Sequence, residues 1–131
     1  MSKSPSRRTS AKFHALPADV IAAVRAAADK KAEQLTLLDL RKAAGFTDFF
    51  VIATGRNARQ TKAIYDEVSG VLKREHDLLP RASAGAAEAT WIVADYLDVV
   101  LHLFTPETRG FYRLEELWSE VPSIELEVAT A

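Results

Sequence analysis

Apolar positions along this chain recur with two periods, and the switches between them mark its elements. Leu16-Pro17-Ala18-Asp19 opens the first. Proline suits a first helical position, where its φ is already set, and an acid suits a helix N-terminus. Val20, Ile21, Val24, Ala27, Ala28 and Lys31 follow at helical spacing, predicting a helix from about 17 to 33. Leu35–Arg41 reads as a short strand, ended by a turn or bulge at Ala43-Ala44-Gly45. Phe49–Thr54 is continuously apolar and rich in aromatic and β-branched residues, as in a strand covered on both faces. Gly55-Arg56-Asn57 ends it, with Asn57 as a helix N-cap. Thr61, Ile64, Tyr65, Val68, Val71 and Leu72 then form a stripe that predicts a helix over 57–76.

Leu78–Arg81 is a brief extended piece, and Ala82–Ala89 reads as a loop of small residues. Thr90–Asp95 and Asp98–Phe104 are two strands separated by Tyr96-Leu97. Pro106 opens a last helix, with Phe111, Leu114, Leu117 and Trp118 at helical spacing and Val121-Pro122 ending it. This order predicts an α/β fold, a single mixed β-sheet flanked by helices.

The hairpin supplies the first candidate surface. With a two-residue loop, Asp95 pairs with Asp98, Val93 with Val100 and Trp91 with His102. Alternation then puts Trp91, Val93, Asp95, Asp98, Val100, His102 and Phe104 on one face, and Ile92, Ala94, Val99, Leu101 and Leu103 on the other. The second set is a core face. The first mixes aromatics, a histidine and two opposed acids, a destabilising arrangement that suits a rim offered to a cationic partner. Trp91 half-buried beneath the last helix, His102 as a satisfied sheet histidine and Tyr96 as a plain turn aromatic form the competing reading.

Composition narrows the function. At 131 residues the chain is one domain by length. Residues 1–15 are expected to be a disordered basic arm, 16–122 the domain and 123–131 an acidic flexible tail. Seventeen Lys and Arg against 18 Asp and Glu argue against a globally basic nucleic-acid binder. The absence of cysteine excludes disulfides, thiolate metal sites and cysteine nucleophiles. No apolar run reaches the length of a membrane helix.

Catalytic signals are weak. Gly55 between strand and helix invites a phosphate loop, and Arg56, Arg59 and Lys62 lie close by, but neither glycine-rich phosphate motif is present. His14, His76 and His102 have no metal-ligand spacing, and Asp39, Asp48, Asp95 and Asp98 make at best a loose carboxylate set.

Several motif strings carry a resemblance. Leu38-Asp39-Leu40-Arg41, Phe46–Ile52 and Thr54–Gln60 resemble the front half of the ribosomal silencing factor family (RsfS, also called Iojap). Trp91–Phe104, followed by Pro106-Glu107-Thr108-Arg109, Tyr112 and Leu114–Trp118, resembles its back half. The resemblance implies a nucleotidyltransferase-like topology without a catalytic set, no enzyme activity and no cofactor or metal. It implies a cytoplasmic translation repressor that binds ribosomal protein fourteen of the large subunit and sterically blocks joining of the small subunit under nutrient limitation. Homodimers are part of that expectation, and membrane or sequence-specific nucleic-acid binding is not. The implied contact surface matches Trp91, Asp95, Tyr96, Asp98 and His102, with Val100 and Phe104 beside them. The family has glycine at the position of Leu97, so a tight turn here has to avoid positive φ. It also departs at Gly55-Arg56-Asn57, over Ala82–Thr90 and at Thr105. A nucleotidyltransferase-like enzyme and a ribosome-assembly adaptor are the alternatives.

Overall fold

The computed structural model describes residues 15–43 and 45–125. In chain order the elements are α1 (Ala18–Asp29), β1 (Glu33–Asp39), β2 (Phe49–Thr54), α2 (Ala58–His76), β3 (Ala82–Ala84), β4 (Trp91–Asp95), β5 (Val99–Phe104), α3 (Pro106–Tyr112), α4 (Leu114–Leu117) and β6 (Ser123–Glu125). Six strands form one mixed sheet in the order β3-β4-β5-β2-β1-β6. Only β2 and β5 pair in parallel; every other neighbouring pair is antiparallel.

Strand alternation sorts the interior into two layers. Leu35, Leu37, Phe49, Val51, Ala53, Ile92, Ala94, Leu101 and Leu103 point to the face covered by α1 and α2. There Val20, Ala23, Val24, Ala27, Ile64, Val68 and Leu72 meet them, all buried. Leu38, Leu40, Phe50, Ile52, Val100 and Phe104 point to the opposite face, where Trp91, Val93, Leu114, Trp118 and Val121 pack against them. The small residues of α1 let it lie close to the sheet, and the burial of its Ala-rich stripe outweighs its shortness.

Gly55 closes β2 against the first turn of α2. A Cβ there would lie 2.7 Å from Thr61 Cγ2 and 2.8 Å from Thr61 N, so the residue is a close-approach glycine. Asn57 caps α2 by accepting from Gln60 N at 2.9 Å, and Gln60 Oε1 accepts in return from Arg56 N at 2.6 Å. This reciprocal pair satisfies Gln60 N in the first turn of α2 and Arg56 N just before it.

Three expectations need correction. Part of the small-residue loop, Ala82–Ala84, is an edge strand on β4. Residues 123–125 belong to the sheet as β6, paired with β1, rather than to a flexible tail. The last helix is two short ones, because Arg113 adopts a left-handed conformation (φ 48°) between them. The expected arm (1–14) and the residues after 125 lie outside the described residues.

Candidate partner-binding face

The β4–β5 hairpin is two residues out of the expected register. Asp95 pairs with Val100, Val93 with His102 and Trp91 with Phe104. A slip of two leaves the faces unchanged, so Trp91, Val93, Asp95, Val100, His102 and Phe104 still share one side. Asp98 does not. It sits in the turn, where its carbonyl accepts from Asp48 N at 3.0 Å and Phe49 N at 3.1 Å. The two acids are therefore not opposed. Asp95 forms an ion pair with Arg81 at 3.1 Å and accepts from Leu97 N at 2.8 Å. That second bond holds the turn. Leu97 has φ 79°, the positive value that its side chain was expected to avoid, and Asp98 N donates to Tyr96 O at 3.0 Å across it.

Tyr96 is on neither the turn surface nor the aromatic side. It is buried in the helical-face core, and burial pushes its phenol up to about 12. Val100 and Phe104 are buried in the aromatic layer, and His102 is only 7% exposed between them. Of the seven residues expected at a partner surface, Trp91, Asp95 and Asp98 retain accessible area; Val100, His102 and Phe104 shape the face from beneath, and Tyr96 belongs to the opposite core.

That aromatic layer is continuous. Trp91 stacks on Phe104 at 5.1 Å between centroids and lies 4.4 Å from Tyr112. His102 meets Phe50 edge-on at 4.5 Å, Phe50 meets Trp118 at 5.9 Å, and Phe46 lies 6.3 Å from Trp118. Trp91 Nε1 donates to His102 Nδ1 at 3.3 Å, which leaves the proton of the neutral ring on Nε2. Nε2 is buried without a hydrogen-bond partner. Burial alone holds the imidazole down to about 4, so it stays neutral across the physiological range.

Residues that pattern reading missed complete the face. Arg109 is 8% exposed. From α3 its Nη1 donates to Thr54 Oγ1 at 2.8 Å, its Nη2 to Thr36 Oγ1 at 3.0 Å, and its Nε to Glu115 Oε2 at 2.8 Å. Nothing in local spacing separates this arginine from a solvated one; only its place in the Pro106–Arg109 string was a signal. The helical spacing of Phe111, Leu114, Leu117 and Trp118 implied that all four turn inward. The break at Arg113 disrupts the period, so Leu114 and Trp118 pack inward while Phe111 and Leu117 stay 79% and 75% exposed. With Tyr112 they line an open groove of about 580 Å³. Exposed large apolar groups clustered in this way are characteristic of interaction surfaces.

Among the described residues no group of three or more His, Asp or Glu is placed to hold a metal ion. At the N-terminus of α2 the side chains of Asn57 and Gln60 take up Gln60 N and Arg56 N. Among the described residues no helix is long and apolar enough to cross a membrane.

Comparison with known proteins identifies the lineage. The profile of a family described as "Ribosomal silencing factor during starvation" matches residues 14–131. The chain belongs to this RsfS family. It is 38% identical over 105 residues to the ribosomal silencing factor RsfS of Halalkalibacterium halodurans, covering 80% of this chain and 89% of that one. It is 31% identical over 106 residues to the chloroplastic protein Iojap of Zea mays, covering 81% of this chain and 46% of the plant protein. A crystal structure from Bacillus halodurans superposes with a TM-score of 0.71 at 36% identity, over 82% of this chain and 96% of that one. One from Chromobacterium violaceum superposes with a TM-score of 0.74 at 31% identity, over 86% and 92%. The relatives therefore include an organellar protein as well as bacterial ones, and the two bacterial structures share the fold described above.

Proposed function

We propose that this RsfS-family chain is a cytoplasmic translation repressor. It binds ribosomal protein fourteen of the large subunit and blocks joining of the small subunit by occupying the space between them, when nutrients are limiting. Family membership over residues 14–131 carries this reading. The accessible rim supports it. Trp91 and the half-buried Asp95 lie on the aromatic side, Asp98 is exposed in the adjoining turn, and together they offer acid and ring surface to a basic protein. Val100, His102 and Phe104 act by supporting that rim from beneath. The mechanism is steric and requires no cofactor. A domain of this size has a radius of gyration of roughly 14 Å, enough to obstruct a neighbouring subunit when seated on the joining face. A homodimer using the same face would compete with subunit binding.

Cosedimentation with separated ribosomal subunits tests the reading. Wild-type protein is expected with the large subunit only, and Asp98→Lys and Trp91→Ala are expected to weaken that association. Failure of the wild type to bind large subunits overturns the proposal, as does full binding by both variants. Appearance on precursor particles but not on mature large subunits would instead identify an assembly adaptor.

A further inference from the structure

The cover of the aromatic layer is slight. α3 and α4 are one helix of seven residues and one of four, separated by the left-handed Arg113, and neither is stable as a helix on its own. Yet this segment carries Tyr112, which lies against Trp91, and the outward Phe111 and Leu117. Leu114 and Trp118 anchor it through apolar contact, and a set of polar bonds fixes its orientation. Arg109 reaches from α3 to Thr36 on β1, to Thr54 on β2 and to Glu115 on α4, so one guanidinium joins four elements. One residue earlier in α3, Thr108 Oγ1 donates to Thr90 O at 2.6 Å, just before Trp91.

We propose that Arg109 is the positioning residue of the partner-binding face, the clamp that fixes α3–α4 so that Tyr112 rests on Trp91 while Phe111 and Leu117 point outward. The inference rests on the partner-binding reading above. An apolar side chain at position 109 would fill the same space, so burial alone does not call for an arginine. A planar donor fork does what no apolar group can: it satisfies two strand threonines and a helix carboxylate at fixed angles. That arrangement sets orientation, and orientation determines which ring surface the partner meets. The acids left on the segment favour a basic partner. Arg109 and Arg113 pair with Glu115 and Glu116, whereas Glu107 and Glu120 are in none of the ion pairs among the described residues.

The test is a double-mutant cycle read in two ways. Dissociation constants for purified large subunits are measured on full-length Arg109→Met, Tyr112→Ala and the double variant, well below each melting temperature. The single variants are expected to weaken binding about tenfold, and the double variant no more than the weaker single one, because both disrupt the same placement. Arg109→Lys keeps the charge but not the fork and is expected to restore binding only in part. The second readout needs no ribosome. In a Trp118→Phe background Trp91 is the only tryptophan; Arg109→Met is expected to shift its emission to the red as Tyr112 leaves it. If Arg109→Met does not fold, Thr54→Val removes one acceptor and is expected to show the same changes at smaller size. Folded variants with wild-type affinity and unchanged emission overturn the proposal. If wild-type protein fails to bind large subunits, the functional reading fails, and the emission result alone decides whether Arg109 positions the segment.

Discussion

The two faces of the sheet are built on different principles. On one, Leu, Val, Ile and Ala side chains lie beneath α1 and α2, two helices of 12 and 19 residues. Nearly all contacts there are apolar and nondirectional. On the other, aromatic rings lie beneath two short helices, and the interior holds a neutral histidine and a charged arginine. Buried groups of that kind are costly unless partnered, and an apolar filling of equal volume would be as stable or more so. The difference separates two tasks. The helical face supplies stability, and the aromatic face spends part of it on a defined surface.

Several substitutions sharpen or break this contrast. The largest loss of stability is expected on the helical face. Ile64→Ala, at a fully buried site, should cost about 2–5 kcal/mol in denaturant unfolding. Folded Ile64→Ala should still bind large subunits like the wild type; a changed affinity would mean that the two faces are coupled.

Next comes Gly55→Ala, where the new Cβ meets Thr61 at 2.7 Å. A cost of about 1–3 kcal/mol is expected from overpacking. A neutral result would show that α2 can shift away from β2.

The aromatic face should carry a pH signature in the acid range. His102 titrates near its ordinary value of 6.5 when unfolded but is lowered to about 4 in the fold. Below 6.5 the unfolded chain therefore binds the extra proton, and stability falls with decreasing pH until about 4, below which the loss is complete. The expected slope approaches about 1.4 kcal/mol per pH unit over that window. His102→Gln should flatten it, measured by urea midpoints at several pH values. A slope that persists in the variant would locate the titration elsewhere.

The smallest effect on stability is expected at the outward groups of α3 and α4. Phe111→Ser and Leu117→Ser should change unfolding by less than about 0.5 kcal/mol, since these side chains are mostly in water. Their effect should appear in large-subunit affinity, and an unchanged affinity would remove the groove from the contact surface.

The strands, the two main helices and the family were legible because each rests on local pattern. Alternation along Thr90–Phe104 assigned every hairpin side chain except those near the turn to its correct face. It did so although the register was off by two, because a two-residue slip preserves the alternation. The errors cluster where local pattern is silent. Asp98 entered the turn because Asp95 captures Leu97 N, stabilising a positive φ that propensity argues against. Ala82–Ala84 and residues 123–125 are strands because neighbouring edges had unpaired backbone groups to offer, not because their own residues favour extension.

The sequence by itself determined which side chains can share a face, where the long helices begin, and to which family the chain belongs. These follow from periods of 2 and 3.6, from caps such as Asn57, and from residue strings. Only the tertiary structure decided which of those side chains reach solvent. It placed Tyr96 in the helical core, sealed His102 among rings and drew Arg109 across two strands to Glu115. Exposure is a property of what packs above a residue, and several of the packing partners here, Thr36 and Thr54 on Arg109 among them, lie tens of positions away along the chain.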